Sequence, residues 1–84
     1  MPVISRFFGM VIKMYYVPSE HNPPHIHVLY GEFVGVIDIK TTEMLQGDLP
    51  EKELYIVRKW MKKHKNELIK MWDTQKIHSL PPLE

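Results

Sequence analysis

One amphipathic stripe near the C-terminal end constrains the fold more than any other feature of the sequence. Its apolar members recur at helical steps of three, four and seven residues, and they are Leu54, Val57, Met61, Leu68 and Trp72. Trp60 and Met71 widen the stripe. The pattern predicts one long helix over residues 50–77, entered through Gly47-Asp48-Leu49-Pro50 with the proline in its first turn. Such a helix has one apolar face, so the preceding residues must form the surface on which that face packs.

The preceding residues carry the signals of β-strands. Strand-forming residues are enriched in short runs separated by turn residues, and these runs are residues 3–7, 9–17, 25–30, 33–39 and 43–46. The two-residue gap Gly31-Glu32 predicts a tight hairpin, and the three prolines in residues 18–24 predict a loop. We therefore expect an α+β fold: an antiparallel meander of three or four strands, with one long C-terminal amphipathic helix packed on one face.

Length and composition set the domain organisation. The chain has 84 residues, 44% of them apolar, which is enough for one thin core. We expect a single domain over residues 1–84, with the sheet in residues 3–46, the helix in residues 50–77 and a frayed tail in residues 79–84. No apolar run approaches the ~18–20 residues of a membrane span and no signal-peptide cleavage site is recognisable, so we expect a cytoplasmic protein without membrane contact. The lack of cysteine excludes disulfide scaffolds, thiolate metal sites and cysteine nucleophiles.

Alternation with a period of two divides the predicted strands into two faces. One face is apolar and is predicted to pack against the helix; it holds Ile12, Met14, Tyr16, Ile26, Val28, Tyr30, Phe33, Ile37 and Ile39. The other face mixes apolar groups with groups capable of chemistry, and it holds Lys13, Tyr15, His25, His27, Leu29, Val34, Val36 and Asp38. A register shifted by one residue would bury both histidines and two charges, which favours this assignment.

Basic charge is concentrated toward the C-terminal end. Eight of the eleven Lys and Arg residues follow residue 50, and Lys52, Lys59, Lys63 and Lys70 fall on the side of the predicted helix opposite its apolar stripe. A solvated helix face explains this pattern, because an amphipathic helix needs a polar side. Contact with RNA, DNA or an acidic protein is the alternative, in which Lys59, Lys63 and Lys70, together with Tyr15 on the sheet, are the candidate binding residues.

Three of the five histidines lie within the segment His21-Asn22-Pro23-Pro24-His25-Ile26-His27. In a strand, His25 and His27 point to the same side with Cα atoms ~6.5–7 Å apart, so both rings can reach one phosphate or one water molecule. Such a pair can act as general base and general acid, with Lys13 or Arg6 stabilising a phosphorane-like transition state during RNA cleavage. A structural or partner-contact role, in which each imidazole bonds a backbone carbonyl, stays open beside this interpretation.

Metal binding is a third interpretation of the histidines. His21, His25 and His27 would supply three zinc ligands and leave a fourth position open, as catalytic zinc sites do. We expect no intrinsic metal and no cofactor, because the Pro-Pro loop must bend sharply to return His21 and no carboxylate lies close in sequence.

The order of segments resembles a family of small prokaryotic proteins, domain of unknown function 4160. The most specific likeness is the block His21-Asn22-Pro23-Pro24-His25-Ile26-His27-Val28. Further matching segments are residues 2–9, 12–16, 30–32 and 47–50, together with Trp60, Glu67-Leu68 and Trp72. The resemblance covers nearly the whole chain. Proteins of this family are often encoded beside a second small protein of another uncharacterised family, and some members resemble toxins of type II toxin–antitoxin modules. The resemblance therefore implies a toxin-like role.

Two function hypotheses follow from these observations. The first is a toxin-like component with metal-independent RNase activity. In this hypothesis His25 and His27 are the acid–base pair, and Lys13 or Arg6 binds phosphate. The second is a non-enzymatic module that binds protein or nucleic acid. Apolar residues of the mixed face predict an interface in either case. We expect a homodimer, or a complex with an antitoxin-like protein that covers the histidines.

Overall fold

The computed structural model describes residues 2–15 and 23–83, and it has an α+β architecture. Five strands precede two helices: β1 (Val3–Phe7), β2 (Met10–Lys13), β3 (His25–Tyr30), β4 (Phe33–Asp38), β5 (Met44–Gly47), α1 (Glu51–Lys63) and α2 (Lys65–Thr74). None of the helices in this part of the chain is long and apolar enough to cross a membrane.

The strands form one sheet whose spatial order follows the chain, β1-β2-β3-β4-β5, with every pair antiparallel. The expected meander is therefore confirmed. The expected count of three or four strands is wrong, because the short runs at both ends of the sheet pair with their neighbours. Phe8 and Gly9 both have positive φ, 50° and 80°, as a two-residue turn between twisted antiparallel strands requires. The hairpin between β3 and β4 turns at Gly31, as predicted.

A β-bulge in β1 determines which of its residues face the core. Val3 pairs with Lys13 and Ser5 with Ile12, so Ile4 is an extra residue between the two pairs. Consequently Ile4 and Ser5 are both buried, although they are adjacent in sequence. Beyond the bulge, Arg6 pairs with Val11 and points to the face away from the core.

The core lies between the apolar face of the sheet and the two helices. Its fully buried members from the strands and the residues adjoining them are Ile4, Met10, Ile12, Met14, Ile26, Val28, Ile37 and Ile39. Those from the helices are Val57, Trp60, Met61, Leu68 and Met71. The predicted apolar face of the sheet is thus confirmed for the described residues, and Tyr16 lies outside them. The Glu53 carboxylate accepts a hydrogen bond from the Tyr30 hydroxyl, which raises the pKa of Tyr30 and joins α1 to β3.

The predicted single helix over residues 50–77 is instead two helices. His64 separates them, with backbone angles of φ −110° and ψ 20° that depart from helical values. Its N–H still donates to the Trp60 carbonyl, and its own carbonyl accepts from the Leu68 N–H. The hydrogen-bonded chain therefore continues through a bend. The second helix ends before residue 77 because Gln75 adopts a left-handed conformation at φ 59°.

The C-terminal segment, for which the sequence predicts a frayed tail, contacts the core at Leu80 and Pro81. The Leu80 N–H donates to the Ile4 carbonyl at 2.7 Å, on the outer edge of β1. The Trp60 indole Nε1–H donates to the Pro81 carbonyl at 2.8 Å. A buried indole needs an acceptor, and the returning segment supplies one while it buries Leu80.

Candidate functional site

The side of the sheet that faces away from the helices carries the candidate site. Register places Lys13 opposite His27, His27 opposite Val36, and Val11 opposite Leu29. We call this side the open face, and its residues are Arg6, Val11, Lys13, Tyr15, His25, His27, Leu29, Val34, Val36 and Gln46. Most of these side chains are half-buried, so the face offers both apolar area and polar atoms to another molecule.

Four rings lie in succession from the open face to helix α2, and we call them the ring row. Tyr15 contacts His27 with a centroid separation of 4.3 Å, His27 contacts His25 at 5.5 Å, and His25 contacts Trp72 at 4.8 Å. Three elements contribute: Tyr15 follows β2, the histidines belong to β3, and Trp72 comes from α2. The interplanar angles of 56° to 70° are those of tilted and edge-to-face packing, a favourable arrangement for aromatic rings.

A hydrogen bond to the backbone defines the protonation pattern of His25. Its Nδ1 lies 2.9 Å from the Pro23 carbonyl oxygen. A carbonyl oxygen only accepts, so Nδ1 must carry the proton in the neutral ring. The lone pair is then on Nε2, which becomes the atom where His25 gains and loses a proton. The two prolines before β3 thus contribute the carbonyl that orients this imidazole.

The environment of His27 disfavours its charged form. Burial is the largest cause that lowers the pKa of His27, followed by the neighbouring charges of His25 and Lys13. Its Nδ1 is buried and has no hydrogen-bond partner. The lowered pKa keeps His27 neutral at neutral pH, and with Nδ1 buried, Nε2 is the ring nitrogen left to contact another molecule. A neutral imidazole can accept a proton, so His27 can act chemically as a base beside His25.

The two cations predicted to bind phosphate occupy different positions. Lys13 faces His27 directly across the β2–β3 pair. Arg6 is exposed on the same face, but it lies one strand farther out, with its Cα about 12 Å from that of His27 by strand spacing. Lys13 is therefore the cation beside the histidines, and Arg6 lies apart from them on the neighbouring strand.

Asp38, predicted on the same side of the sheet, has a structural role. Its Oδ1 accepts hydrogen bonds from the backbone N–H groups of Lys40 at 2.7 Å and Thr41 at 3.0 Å. The side chain is buried and holds the turn that follows β4. It does not add an available carboxylate to the open face.

The lysines predicted on the back of the helix do not join the histidine site. Lys59 is exposed on α1, with its ammonium 5.7 Å from the Tyr55 ring centre, and Lys63 is exposed at the end of the same helix. Lys70 is exposed on α2, beyond the bend. It borders a groove of about 360 Å³ between α2 and the C-terminal segment, lined also by Glu67, Met71, Thr74, Lys76 and His78.

The predicted three-histidine metal site is only partly within the described residues, since His21 lies outside them. Residues 2–15 and 23–83 contain no group of three or more His, Asp or Glu residues placed to hold a metal ion. The metal interpretation therefore stays a prediction that depends on His21.

Trp72 is the member of the site that sequence reasoning missed. Periodicity assigned it to the apolar stripe of the helix, and its side chain is indeed half-buried at the margin of the core. Its contact with His25 depends on the direction that α2 takes after the bend at His64. No local sequence signal reports that direction.

Comparison with protein families matches residues 9–73 to a family described as Domain of unknown function (DUF4160). The match includes β2, β3, β4, β5, α1 and nearly all of α2, and therefore the whole ring row. Comparison with curated proteins and with solved structures finds no match.

Proposed function

This chain belongs to the domain of unknown function family DUF4160, and from its open face we propose that it cleaves RNA without a metal ion, using His25 and His27 as the proton-transfer pair. The observation that carries the proposal is the contact between two imidazoles, His25 and His27, whose hydrogen bonding differs. One has its proton-exchanging nitrogen defined by a bond to Pro23, and the other is held neutral by burial. Pairs of titratable groups in unlike environments are typical of acid–base catalysis.

The proposed reaction is an internal transesterification of RNA. Neutral His27 takes the proton of a ribose 2′-hydroxyl at Nε2 while the 2′-oxygen attacks the adjacent phosphorus. The bond from phosphorus to the 5′-oxygen breaks, and protonated His25 gives the Nε2 proton to the leaving oxygen. The products are a 2′,3′-cyclic phosphate and a 5′-hydroxyl, so the reaction consumes no water and no cofactor.

Lys13 supports this chemistry electrostatically. The transition state spreads negative charge over the non-bridging phosphate oxygens, and an ammonium group beside the base stabilises that charge. Lys13 occupies the position across from His27, and its charge already helps to lower the pKa of that ring. Lys13 therefore favours the neutral form of His27, the proposed base, and attracts the phosphate.

Cleavage of a fluorescently labelled RNA in excess EDTA tests the proposal. We expect the wild-type protein to cleave, and His25→Ala and His27→Ala each to lower the rate by about 10²–10⁴-fold, the usual contribution of general acid–base catalysis. His78→Ala is the matched control, because His78 is exposed and bonds Glu67 and Ser79 away from the open face. Full activity in either open-face variant, with the fold intact by circular dichroism, would exclude the proposed roles.

An RNase of this type fits the toxin component of a toxin–antitoxin pair, the role suggested by the family resemblance. Expression without a partner is then expected to arrest growth, and His25→Ala is expected to abolish the arrest. If the folded variant arrests growth as strongly as the wild type, the catalytic version of this role is wrong.

A non-enzymatic binding module is the second candidate, and the apolar part of the open face favours it. Val34 is 47% exposed, and Val11, Leu29 and Val36 are half-buried around it. A homodimer or an antitoxin-like partner would bury this area and cover both histidines. Light scattering tests the homodimer: a dimer that Val34→Lys converts to monomer supports it, and a monomer at high concentration contradicts it.

A further inference from the structure

The two ends of the ring row are aromatic and the middle is ionisable. Tyr15 and Trp72 flank the imidazole pair, and each contacts a different histidine. Both residues are half-buried, so each keeps part of its surface in contact with solvent. Aromatic faces in this setting stack on nucleobases, with little preference for sequence because every base has a π-face.

The charge of the open face suits a polyanion. Among the residues of the five strands, Asp38 is the one acid, and its carboxylate is buried in a turn. Arg6 and Lys13 point outward from neighbouring strands as diagonal neighbours, roughly 7–8 Å apart between Cα atoms. The face therefore offers two cations to successive phosphates and no exposed strand carboxylate to repel them.

We propose that the ring row binds single-stranded RNA, with one base stacked on Trp72 and another on Tyr15, so that the phosphate between them lies against His25 and His27. This inference rests on the proposed RNase activity and names its substrate class. Bases of a duplex are already stacked on one another, so only an unpaired strand can offer base faces to both rings. Trp72 and Tyr15 are then substrate-binding residues, and cleavage is confined to unpaired regions.

Binding of a labelled 2′-O-methyl RNA octamer tests the inference independently of cleavage, because the methylated 2′-oxygen cannot attack. We expect Trp72→Ala and Tyr15→Ala each to weaken binding by about 5- to 100-fold, the range that a stacked base contributes. Trp72→Phe is expected to retain most of the affinity. Tyr55→Ala is the matched control, since Tyr55 is 64% exposed on α1 away from the sheet, and it should change the affinity less than twofold.

The outcomes separate the inference from the proposed function. Binding that depends on Trp72 and Tyr15 without cleavage of unmodified RNA would support the binding site and refute the RNase. Cleavage that requires His25 and His27, with affinity unchanged in Tyr15→Ala, would support the RNase and overturn the ring row as its binding site. Equal or tighter binding of a duplex of the same sequence would overturn the restriction to single strands. Tyr15 lies outside the hydrophobic core cluster, so its variant decides the question even if Trp72→Ala unfolds the protein.

Discussion

Replacing Trp60 with Phe is expected to destabilise the fold by about 2 kcal/mol. Trp60 is fully buried, packs against Phe7 and His64, and donates its indole hydrogen to the Pro81 carbonyl at 2.8 Å. Phenylalanine fills roughly 40 Å³ less, and a cavity of that size costs about 1 kcal/mol at ~24 cal/mol per Å³. Loss of the hydrogen bond adds about 1 kcal/mol.

Urea unfolding followed by circular dichroism measures this effect, and a melting temperature lower by roughly 8–16 °C should accompany it for a domain of this size. Trp72→Phe is the matched control, because it makes the same chemical change at a half-buried position and should cost less than about 1 kcal/mol. Equal losses at the two positions, or a loss below about 0.5 kcal/mol for Trp60→Phe, would refute the account of the docked C-terminal segment.

Further predictions concern pH, backbone geometry and the site. Burial lowers the pKa of His27 and of His64 below the unfolded value of about 6.5, so the unfolded chain binds more protons below that pH. The contribution of these two neutral histidines to the free energy of unfolding is therefore fully present above about pH 6.5, and it is lost as the pH drops toward their pKa values in the folded protein. Thermal melts from pH 8 to pH 5 should show a falling melting temperature. His27→Gln should reduce this pH dependence. Gly47→Ala should cost at least about 1–2 kcal/mol in urea unfolding, because Gly47 has φ 81° and an added Cβ would collide with the Val34 carbonyl; a neutral effect would contradict the β4–β5 geometry. Nitrogen-15 NMR at a pH where His25 is neutral should show its proton on Nδ1; a proton on Nε2 would contradict the bond to Pro23.

The fold was predictable where the decisive signals are local. Alternation along residues 25–30 and 33–39 assigned Ile26, Val28, Ile37 and Ile39 to the core, because a strand exposes opposite faces at successive residues. The same alternation placed His25 and His27 on the other side together. Turn chemistry at Gly31 supplied the hairpin that pairs these two strands.

The features that sequence reasoning missed depend on contacts between distant residues. Met61 and Leu68 are seven residues apart, a spacing that fits both a continuous helix and two helices joined by a bend at His64. Docking of the C-terminal segment depends on the need of the Trp60 indole for an acceptor, which Pro81 meets from 21 positions away. The contact of Trp72 with His25 follows from the bend at His64, because it requires α2 to reach the start of β3.

The chemical identity of the cleaved ends tests the central claim most directly. A single-stranded RNA with one 2′-deoxy position should resist cleavage at that position and yield 2′,3′-cyclic phosphate and 5′-hydroxyl ends elsewhere, in the presence of EDTA and only when His25 and His27 are intact. Mass spectrometry of the fragments gives both the position of each cleavage and the chemical identity of the ends. Cleavage at the deoxy position, or 5′-phosphate ends, would show that the 2′-oxygen is not the nucleophile and would contradict proton transfer by the histidine pair as described.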